Sequence, residues 1–266
     1  MTLLQAAILG IIQGLTEYLP ISSTAHLRIV PAFLGWSDPG AAYTAVIQLG
    51  TLLAVLIYFR KDLASLARGS FRDLRSDAHW GQDARTVAAI LAGTLPIGIA
   101  GILFKKSIES TLRGLPVIAG SLILLAVILA WAERAGRRNR DSTTLGFGEI
   151  QIIGLAQALA LIPGASRSGT TLTAALFLGL KRDEAARFSF LLGIPAITAA
   201  GLFELKHLLD AGISSGEMDA LVVGTIAAFV SGWIAIEGLL RFLKTRSTLV
   251  FIVYRIALGF GILGML

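Results

Sequence analysis

Long apolar runs separated by short polar segments dominate the chain. Ala41–Phe59, Thr86–Phe104 and Leu115–Ala132 contain no Asp, Glu, Lys or Arg. Each run is close to the length of about 20 residues that a helix needs to cross the hydrocarbon core of a bilayer. Three further runs show nearly the same pattern: Phe188–Phe203, Ala220–Ile236 and Thr248–Leu266. The pattern predicts six transmembrane helices.

Two other apolar segments do not fit simple membrane-crossing helices. Leu3–Trp36 is interrupted at Pro20, and Ile150–Leu180 is interrupted at Pro163-Gly164. A straight helix over the second segment would run roughly 46 Å, against a hydrocarbon thickness of about 30 Å. Each segment is therefore predicted to be a re-entrant helical hairpin that turns near the middle of the membrane. Irregular backbone at that depth is stable only where it is buried in protein or lines a wet cavity, which indicates a site.

The two hairpins resemble each other in sequence. QGLTEYLPISSTAHL (Gln13–Leu27) and QALALIPGASRSGTTL (Gln157–Leu172) share a Gln, an apolar turn, a Pro and a cluster of hydroxyl residues. The separation between the two prolines recurs between Gly50 and Gly193, which occupy matching places in the span after each hairpin. These matches indicate an internal repeat.

The expected fold is an all-α polytopic membrane protein with six transmembrane helices plus two re-entrant helical hairpins in an inverted-topology repeat. Residues 1–266 would form a single membrane domain, with repeats at approximately 1–135 and 149–266. Because each repeat has three full spans, the second begins on the opposite side of the membrane, and both hairpin tips converge near the midplane.

Composition supports this class of protein. Hydrophobic residues make up 55% of the chain and charged residues 15%, with a mean hydropathy of +0.76, which excludes an ordinary soluble domain. The chain has no cysteine, so thiolate catalysis, disulfides and cysteine metal sites are excluded. No basic residue precedes the first apolar run, so a cleaved signal peptide is not expected. A net charge of +6 does not indicate a nucleic-acid partner here, because in a membrane protein the placement of the basic residues matters more than their sum.

Most basic residues of the connecting segments would lie on one face of the membrane. These are Arg60, Lys61, Arg68, Arg72, Arg75, Arg85, Arg134, Arg137, Arg138, Arg140, Lys181, Arg182, Arg187, Arg241, Lys244 and Arg246. The other face receives fewer: Lys105, Lys106, Arg113 and Lys206. Because cytoplasmic loops are enriched in Lys and Arg, the first face is assigned to the cytoplasm and both termini to the outside.

The residues after each break are suited to binding an anion. Ser166 can cap a new helix that begins at Arg167, and the free N–H groups and positive dipole end of such a helix attract negative charge. A guanidinium adds a bidentate contact for phosphate oxygens. The first hairpin repeats the arrangement, with Ser22, Ser23 and Thr24 beginning a helix that carries His26. The ligand favoured by this pattern carries several phosphate-like charges.

Reactive side chains lie beside the first break. Gln13 and Glu17 are four residues apart and share one helix face. A carboxylate at this depth is costly, and near phosphates it could hold a divalent cation or accept a proton. Ser23 and His26, three apart, form a candidate nucleophile and acid or base. Structural roles remain open for His26 as a packed histidine and for the hydroxyl residues as caps or interhelical contacts. Arg255 is left outside the catalytic set, with Glu237 or the cytoplasmic helix end as alternative environments.

These motifs resemble those of a known family. Q-G-L-T-E-Y-L-P-I-S-S-T-A-H resembles the (E/Q)xxxE box and adjoining P-x-S-S-T-x-H of the undecaprenyl-diphosphate phosphatase family of the bacitracin-resistance type, and P-G-A-S-R-S-G-T-T resembles its P-G-x-S-R-S-x-x-T box. Matches at IQLG, SFLLGIP and YR extend the resemblance along the chain.

The resemblance implies hydrolysis of undecaprenyl diphosphate to undecaprenyl phosphate and inorganic phosphate. This reaction recycles the lipid carrier for peptidoglycan synthesis and confers bacitracin resistance. The resemblance further implies a bacterial plasma (inner) membrane location, an active site opening to the outer (periplasmic) face, and a divalent cation, Mg²⁺ or Ca²⁺. The expected partners are the polyprenyl diphosphate and membrane lipids, and a homodimer is a candidate assembly.

Residue roles follow from the same resemblance. Glu17 would be a metal ligand or base, Arg167 would clamp the diphosphate, Ser23 would attack and His26 would assist as acid or base. The substrate-binding residues would be Gln13, Ser22, Thr24, Gly164, Ser166, Ser168 and Thr171. Since position 13 is Gln where some members have Glu, substrate oxygens would supply much of the coordination of the cation.

A different class of function shares the expected architecture. Inverted repeats with broken helices at the midplane are also typical of secondary transporters, so a polyprenyl-phosphate transporter or flippase is the alternative. A carrier needs an arginine and helix ends, but it does not need Glu17, Ser23 and His26 together. The combination favours the phosphatase.

Overall fold

A computed structural model describes residues 1–75 and 81–265, which are almost entirely helical. The α-helices are α1 (Leu3–Tyr18), α2 (Ser23–Phe33), α3 (Gly40–Tyr58), α4 (Arg60–Arg75), α5 (Gln82–Leu103), α6 (Lys105–Glu109), α7 (Leu115–Ala135), α8 (Phe147–Ala158), α9 (Arg167–Phe177), α10 (Arg182–Ala211), α11 (Ser215–Thr245) and α12 (Leu249–Leu263). Short 3₁₀ turns occupy Thr111–Arg113, Ser142–Thr144 and Leu159–Leu161.

Five of these helices, α3, α5, α7, α10 and α11, are long and apolar enough to cross a membrane. The protein is therefore a multi-pass membrane protein. Helix α12, predicted as a sixth span, is apolar but has 15 residues and is shorter than the other five. Helices α10 and α11, with 30 and 31 residues, extend beyond the predicted apolar runs because charged residues continue the helix at their ends.

The basic connecting segment after α3, for which no span was predicted, contains a helix. Helix α4 is amphipathic, packs against α5 and buries part of Leu63 against the apolar core, while its basic residues remain exposed. The search for apolar spans missed this helix because the segment is too polar to resemble a span. The remainder of that connecting segment, at 76–80, and the last residue of the predicted final span, Leu266, lie outside the described residues.

Both predicted helix starts after the breaks are confirmed. Ser22 precedes α2 and Ser166 precedes α9, with φ angles of 73° and 70°. The side-chain oxygen of Ser22 accepts a hydrogen bond from the N–H of Ala25, and that of Ser166 accepts one from Gly169. Positive φ at a residue with a side chain is strained, and such strain persists where surrounding structure enforces it, often at functional sites.

The two halves of the chain pack crosswise. Helix α1 packs against α11, α8 against α5, α3 against α10, and α7 against α12. Small residues allow the close approach: a Cβ added at Gly10 would lie 2.2 Å from the carbonyl oxygen of Gly224, and one at Gly154 would lie 2.3 Å from that of Gly93. Such close backbone contacts are the usual packing mode of helices in membranes. The crosswise packing brings the two breaks to the centre of the molecule.

Candidate functional site

The two breaks are joined by direct contacts. Nη2 of Arg167, at the start of α9, donates a hydrogen bond to Oε1 of Glu17 in the last turn of α1, at 3.2 Å. The exposed fractions of the two side chains are 10% and 5%, so the ion pair is buried. The hydroxyl of Ser168 donates to the carbonyl of Leu19 at 3.0 Å. The residues that the sequence assigned to two separate hairpins therefore share one site.

Three donors converge on the carboxylate of Glu17. Besides Arg167, its Oε2 accepts hydrogen bonds from Nε2 of Gln13 at 2.9 Å and from Oγ of Ser23 at 2.7 Å. The Gln13 contact follows from the four-residue spacing on α1. The Ser23 contact crosses the first break, so it depends on the turn between α1 and α2. Glu17 is thus held in place to accept the proton of the Ser23 hydroxyl.

The guanidinium of Arg167 is fixed from a second direction. Its Nη1 donates to the carbonyl of Ser189 at 3.2 Å, whereas its buried Nε has no hydrogen-bond partner among the described residues. A Cβ added at Gly193 would lie 1.8 Å from Nη1. Gly193 therefore provides the space in which Arg167 reaches Glu17. Sequence reasoning used Gly193 only as a repeat marker, together with Gly50, and missed this role.

His26 is bound differently from the prediction. Its Nδ1 lies 2.7 Å from the carbonyl of Ser22, and its Nε2 lies 2.6 Å from the hydroxyl of Tyr254. Because a carbonyl can only accept, Nδ1 carries the proton and, in the neutral ring, Nε2 accepts from Tyr254. The expected Ser23–His26 pair is therefore wrong for this structure, in which Ser23 pairs with Glu17. Both ring nitrogens of His26 are engaged, one by Ser22 and the other by Tyr254, so neither is free to pair with Ser23.

Four of the predicted hydroxyl residues lie in matching pairs at the two helix starts. The hydroxyls of Ser22 and Thr24 are 3.1 Å apart, and those of Ser166 and Ser168 are 3.2 Å apart. Each pair flanks the first N–H groups of its helix, where an anion is favoured. The two helix starts therefore have equivalent hydroxyl pairs.

Thr171, also predicted to bind substrate, lies deeper than these pairs. It is fully buried, and its hydroxyl donates to the carbonyl of Arg167 at 2.8 Å and contacts the hydroxyl of Ser189. Its contacts brace the first turn of α9. Gly164 lies in the second break with φ of 94°, and an added Cβ would lie 2.1 Å from the hydroxyl oxygen of Ser121. Glycine is therefore required at this position on both backbone and packing grounds.

Arg255 is the main residue that sequence reasoning left out of the site. It is fully buried on α12. Its Nη1 donates to the carbonyl of Pro20 at 3.3 Å, and its Nη2 donates to those of Gly164 and Ala165 at 3.1 and 3.0 Å. Arg255 thus satisfies backbone carbonyls from both breaks. The suggested pairing of Arg255 with Glu237 is therefore wrong. Arg255 is the single charged residue of an otherwise apolar helix, and this feature of the sequence could have indicated a role in the site. 

Glu237 has other partners near the end of α11. Its carboxylate contacts the hydroxyl of Tyr58 and the guanidinium of Arg241. These contacts anchor α11 to α3 at the end of the molecule that carries many basic residues.

An apolar groove of about 700 Å³ adjoins the site. It lies between α1 and α2 on one side and α11 and α12 on the other. Its lining includes His26 and Tyr254, and also Phe242 and Val250 near the turn between α11 and α12. The groove therefore lies beside the polar centre, because His26 on α2 belongs to its lining.

The oxygen ligands around Glu17 are of the kind that a hard divalent cation prefers. The described residues contain no cluster of three or more His, Cys, Asp and Glu side chains suited to a metal. Oε1 of Gln13 is buried and lacks a hydrogen-bond partner within the described part of the chain, so an oxygen ligand is available beside the carboxylate. The site could supply two or three ligands, and the rest would have to come from a bound phosphate.

Comparisons with known proteins give one consistent result. A family model described as "Bacitracin resistance protein BacA" matches residues 6–261. An undecaprenyl-diphosphatase of Myxococcus xanthus is 60% identical to this chain, over 100% of the chain and 90% of its own length. Undecaprenyl-diphosphatases of Chlorobium phaeobacteroides and Chloroherpeton thalassium are 53% and 52% identical, over 100% of this chain and 98% and 97% of their own lengths.

Proposed function

The chain belongs to the bacitracin resistance protein BacA family, and we infer that it hydrolyses undecaprenyl diphosphate to undecaprenyl phosphate and inorganic phosphate. The full-length relatives named undecaprenyl-diphosphatase support this activity. The observation that carries it is the contact of Ser23, Glu17 and Arg167 where the two breaks meet. The reaction returns the lipid carrier to peptidoglycan synthesis, and it confers resistance to bacitracin.

The proposed mechanism begins with Ser23. Its Oγ attacks the terminal phosphorus while its proton passes to Oε2 of Glu17, 2.7 Å away. The bond from that phosphorus to the bridging oxygen breaks, and undecaprenyl phosphate leaves with the bonding electrons. Glu17 passes its proton to the departing undecaprenyl phosphate and is again a carboxylate. Water then attacks the phosphorus of the phosphoserine while Glu17 accepts a proton from the water. The bond from Oγ to phosphorus breaks, inorganic phosphate departs, and Glu17 returns the proton to Oγ of Ser23.

Arg167 and the two helix starts hold the diphosphate during this reaction. Nε of Arg167, which has no hydrogen-bond partner among the residues that the structure describes, and its Nη2 would donate to oxygens of the transferred phosphate. The first N–H groups of α2 and α9 add partial positive charge to the same centre. Charge that develops in the transition state is thereby stabilised by groups that are already in place.

A divalent cation, Mg²⁺ or Ca²⁺, would be held by Glu17, by Oε1 of Gln13 and by oxygens of the substrate. When bound, it would neutralise charge on the phosphates and make the terminal phosphorus easier to attack. Gln13 would hold the carboxylate of Glu17 through its amide nitrogen and present its amide oxygen to the cation. One carboxylate makes this a weak site until the diphosphate is bound.

The membrane arrangement that fits this function has six transmembrane helices, with α1–α2 and α8–α9 as hairpins re-entering from opposite leaflets. The crosswise packing of the halves and the equal geometry at Ser22 and Ser166 support an inverted repeat. The excess of basic residues on one face supports a bacterial inner-membrane orientation with both termini outside. In that orientation the site opens toward the outer face.

A polyprenyl-phosphate transporter or flippase, the alternative function, does not explain why Ser23 is hydrogen-bonded to Glu17. A site that only translocated a polyprenyl phosphate would need the arginine and the helix ends, without a hydroxyl bonded to a carboxylate. The pair therefore favours hydrolysis.

Phosphate release from undecaprenyl diphosphate in detergent tests the proposal. Wild type should turn over, and Glu17→Gln should lower turnover by at least about 10²-fold, the size of a lost transition-state contact. Lys181→Ala is a suitable control because it removes an exposed ion pair with Asp141 and should leave turnover unchanged. A wild-type protein that binds the lipid without releasing phosphate would overturn the assignment.

A further inference from the structure

We propose that a cavity at the end of α7 binds the head group of an anionic phospholipid, whose acyl chain lies along an exposed strip of the same helix. The cavity has a volume of about 410 Å³. Its lining comes from the end of α7 and the segment after it, with Arg137 and Asn139, and from the end of α9, with Phe177 and Gly179. None of these residues belongs to the site described above, so the proposal does not depend on hydrolysis of a diphosphate.

One wall of the cavity is a fixed crossing of two connecting segments. The N–H groups of Asn139 and Arg140 both donate to the carbonyl of Gly179, at 3.0 and 3.1 Å. The guanidinium of Arg140 donates to the carbonyl of Leu178 at 3.0 Å and to both carboxylate oxygens of Glu149. The segment after α7 is therefore held against the end of α9, and the carbonyls at this crossing already have donors.

The groups left for a ligand are hydrogen-bond donors. Arg137 and Asn139 are exposed and line the cavity, and their side chains have no hydrogen bond or ion pair within the described part of the chain. Arg140, by contrast, is already paired with Glu149. The free positive charge therefore belongs to Arg137, and together with the amide of Asn139 it favours a ligand that supplies anionic oxygens, as a phosphate group does.

An apolar strip of α7 leads to this cavity. Leu124, Val127 and Trp131 are three and four residues apart, so they lie on one face of the helix, and their exposed fractions are 61%, 53% and 66%. Ala135, four residues further, continues this face and lines the cavity. The rise from Leu124 to Ala135 is about 16 Å, close to half of a hydrocarbon thickness of about 30 Å. The strip therefore matches the acyl region of one leaflet.

An aromatic pair marks the junction of the strip and the cavity. The rings of Trp131 and Phe177 pack edge to face with their centroids 5.3 Å apart, and Phe177 also lines the cavity. Exposed tryptophans concentrate where the hydrocarbon core meets the head groups. The cavity therefore lies at the depth of lipid phosphates, where basic pockets between membrane helices bind anionic head groups. A soluble phosphate would use the cavity alone, whereas a phospholipid uses both the cavity and the strip.

The experiment measures contact between a labelled lipid and Trp131. The full chain is reconstituted in phosphatidylcholine nanodiscs that contain increasing fractions of brominated phosphatidylglycerol or, separately, of brominated phosphatidylcholine. Bromine quenches the fluorescence of a tryptophan that it contacts. The signal of Trp131 is the difference between the protein and its Trp131→Phe variant. The measurement requires no enzymatic activity.

Wild type should be half-quenched at a clearly lower fraction of phosphatidylglycerol than of phosphatidylcholine. Arg137→Ala should raise the fraction of phosphatidylglycerol required by about fivefold, the factor that one basic residue contributes beside anionic lipid. Asn139→Asp should act in the same direction, because it places a negative charge in the cavity at nearly constant volume. Both side chains are exposed, so the fold should be retained.

Arg72→Ala is the matched control. Arg72 is an exposed basic residue of α4 without an ion pair in the described ranges, and it lies outside the cavity. Its substitution should leave both quenching curves unchanged, and the curve for phosphatidylcholine should be the same in all variants.

Three results would overturn the site. Equal curves for the two lipids in wild type would mean that the strip contacts bulk lipid without selecting it. Equal shifts in Arg137→Ala and Arg72→Ala would assign the selectivity to the general attraction of a basic surface. Relief of the quenching by millimolar glycerol 3-phosphate would mean that the cavity binds soluble phosphate compounds rather than a phospholipid.

Discussion

Nη2 of Arg167 and Oε1 of Glu17 lie 3.2 Å apart in a buried ion pair that joins two helix breaks from opposite halves of the chain. Glu17 lies in the last turn of α1 and Arg167 is the first residue of α9, so the contact fixes both breaks at once. The pair also brings the base for Ser23 and the phosphate-binding guanidinium into one place. The stability of the fold and the placement of the reacting groups are therefore coupled at this contact.

The coupling predicts non-additive effects on stability. Arg167→Met leaves Glu17 buried without its cation and should destabilise the protein by about 3–5 kcal/mol, as is typical when one partner of a buried pair is removed. Glu17→Gln with Arg167→Met should be more stable than Arg167→Met alone, because no charge remains uncompensated. Thermal unfolding of the variants in detergent measures this. A double variant that loses the sum of the two single effects would show that the residues are independent.

The Ser23–Glu17 hydrogen bond predicts a phosphoenzyme. In rapid-quench experiments with substrate labelled in the terminal phosphate, wild type should incorporate label at Ser23, and Glu17→Gln should slow incorporation because the proton acceptor is lost. Ser23→Ala should incorporate none and lose turnover by at least about 10²-fold. A fully active Ser23→Ala would instead assign the attack to water. Ser214→Ala, which alters an exposed helix cap on α11, serves as a control for general effects.

Substitution of Gly193 by alanine should lower activity while leaving the fold intact. In Gly193→Ala the new methyl group would lie 1.8 Å from Nη1 of Arg167, and the end of that side chain can move while the backbone stays in place. The guanidinium is then pushed from Glu17, and turnover should fall by about 10-fold or more. Gly98→Ala on α5 is matched, since its Cβ would contact nothing within 4 Å. Wild-type turnover in Gly193→Ala would mean that the position of Arg167 is not critical.

Arg255 is predicted to stabilise both helix breaks through its hydrogen bonds to their backbone carbonyls. Arg255→Met keeps the bulk of the side chain but leaves the carbonyls of Pro20, Gly164 and Ala165 without this donor. An unsatisfied buried polar group costs about 1–3 kcal/mol, so the melting temperature should fall clearly. Arg255→Lys should recover part of the loss because it restores a donor. A melting temperature equal to wild type in Arg255→Met would contradict a supporting role.

Asp38 lies outside the membrane-spanning segments, and its lowered pKa predicts how the stability of the protein depends on pH. Burial acts to raise the pKa of Asp38, but the N–H of Gly40 and the guanidinium of Arg113 outweigh it and hold that pKa below its usual value. A carboxyl with a lowered pKa stabilises the fold above its unfolded pKa of about 3.9, and this contribution is lost as pH falls through the lower folded value. The difference in melting temperature between wild type and Asp38→Asn should therefore be constant at neutral pH and shrink below about pH 4. If the difference in melting temperature instead vanished between pH 7 and pH 5, it would arise from the titration of another group.

Local features of the site were predictable because they depend on neighbours in sequence. Ser22 and Ser166 as caps, and Gln13 and Glu17 on one helix face, follow from short-range hydrogen bonding and helical spacing. His26 was mispaired for the same reason: a three-residue spacing suggested Ser23, while its actual partner Tyr254 lies on the last helix. Spacing identifies which residues can meet but does not exclude a distant competitor.

The sequence by itself determined the apolar helices, the two breaks, the caps and the residue types that recognise phosphate, because hydrophobicity and helix termination act over one to twenty residues. Only the tertiary structure decided that Arg167 reaches Glu17 through the space at Gly193, and that Arg255 supports both breaks. Only the tertiary structure decided, too, that His26 on α2 and Tyr254 on α12 line one apolar groove. These relationships depend on the crosswise packing of the two halves, which brings together side chains far apart in the chain. Apolar periodicity shows that a helix face is buried, but not which helix buries it.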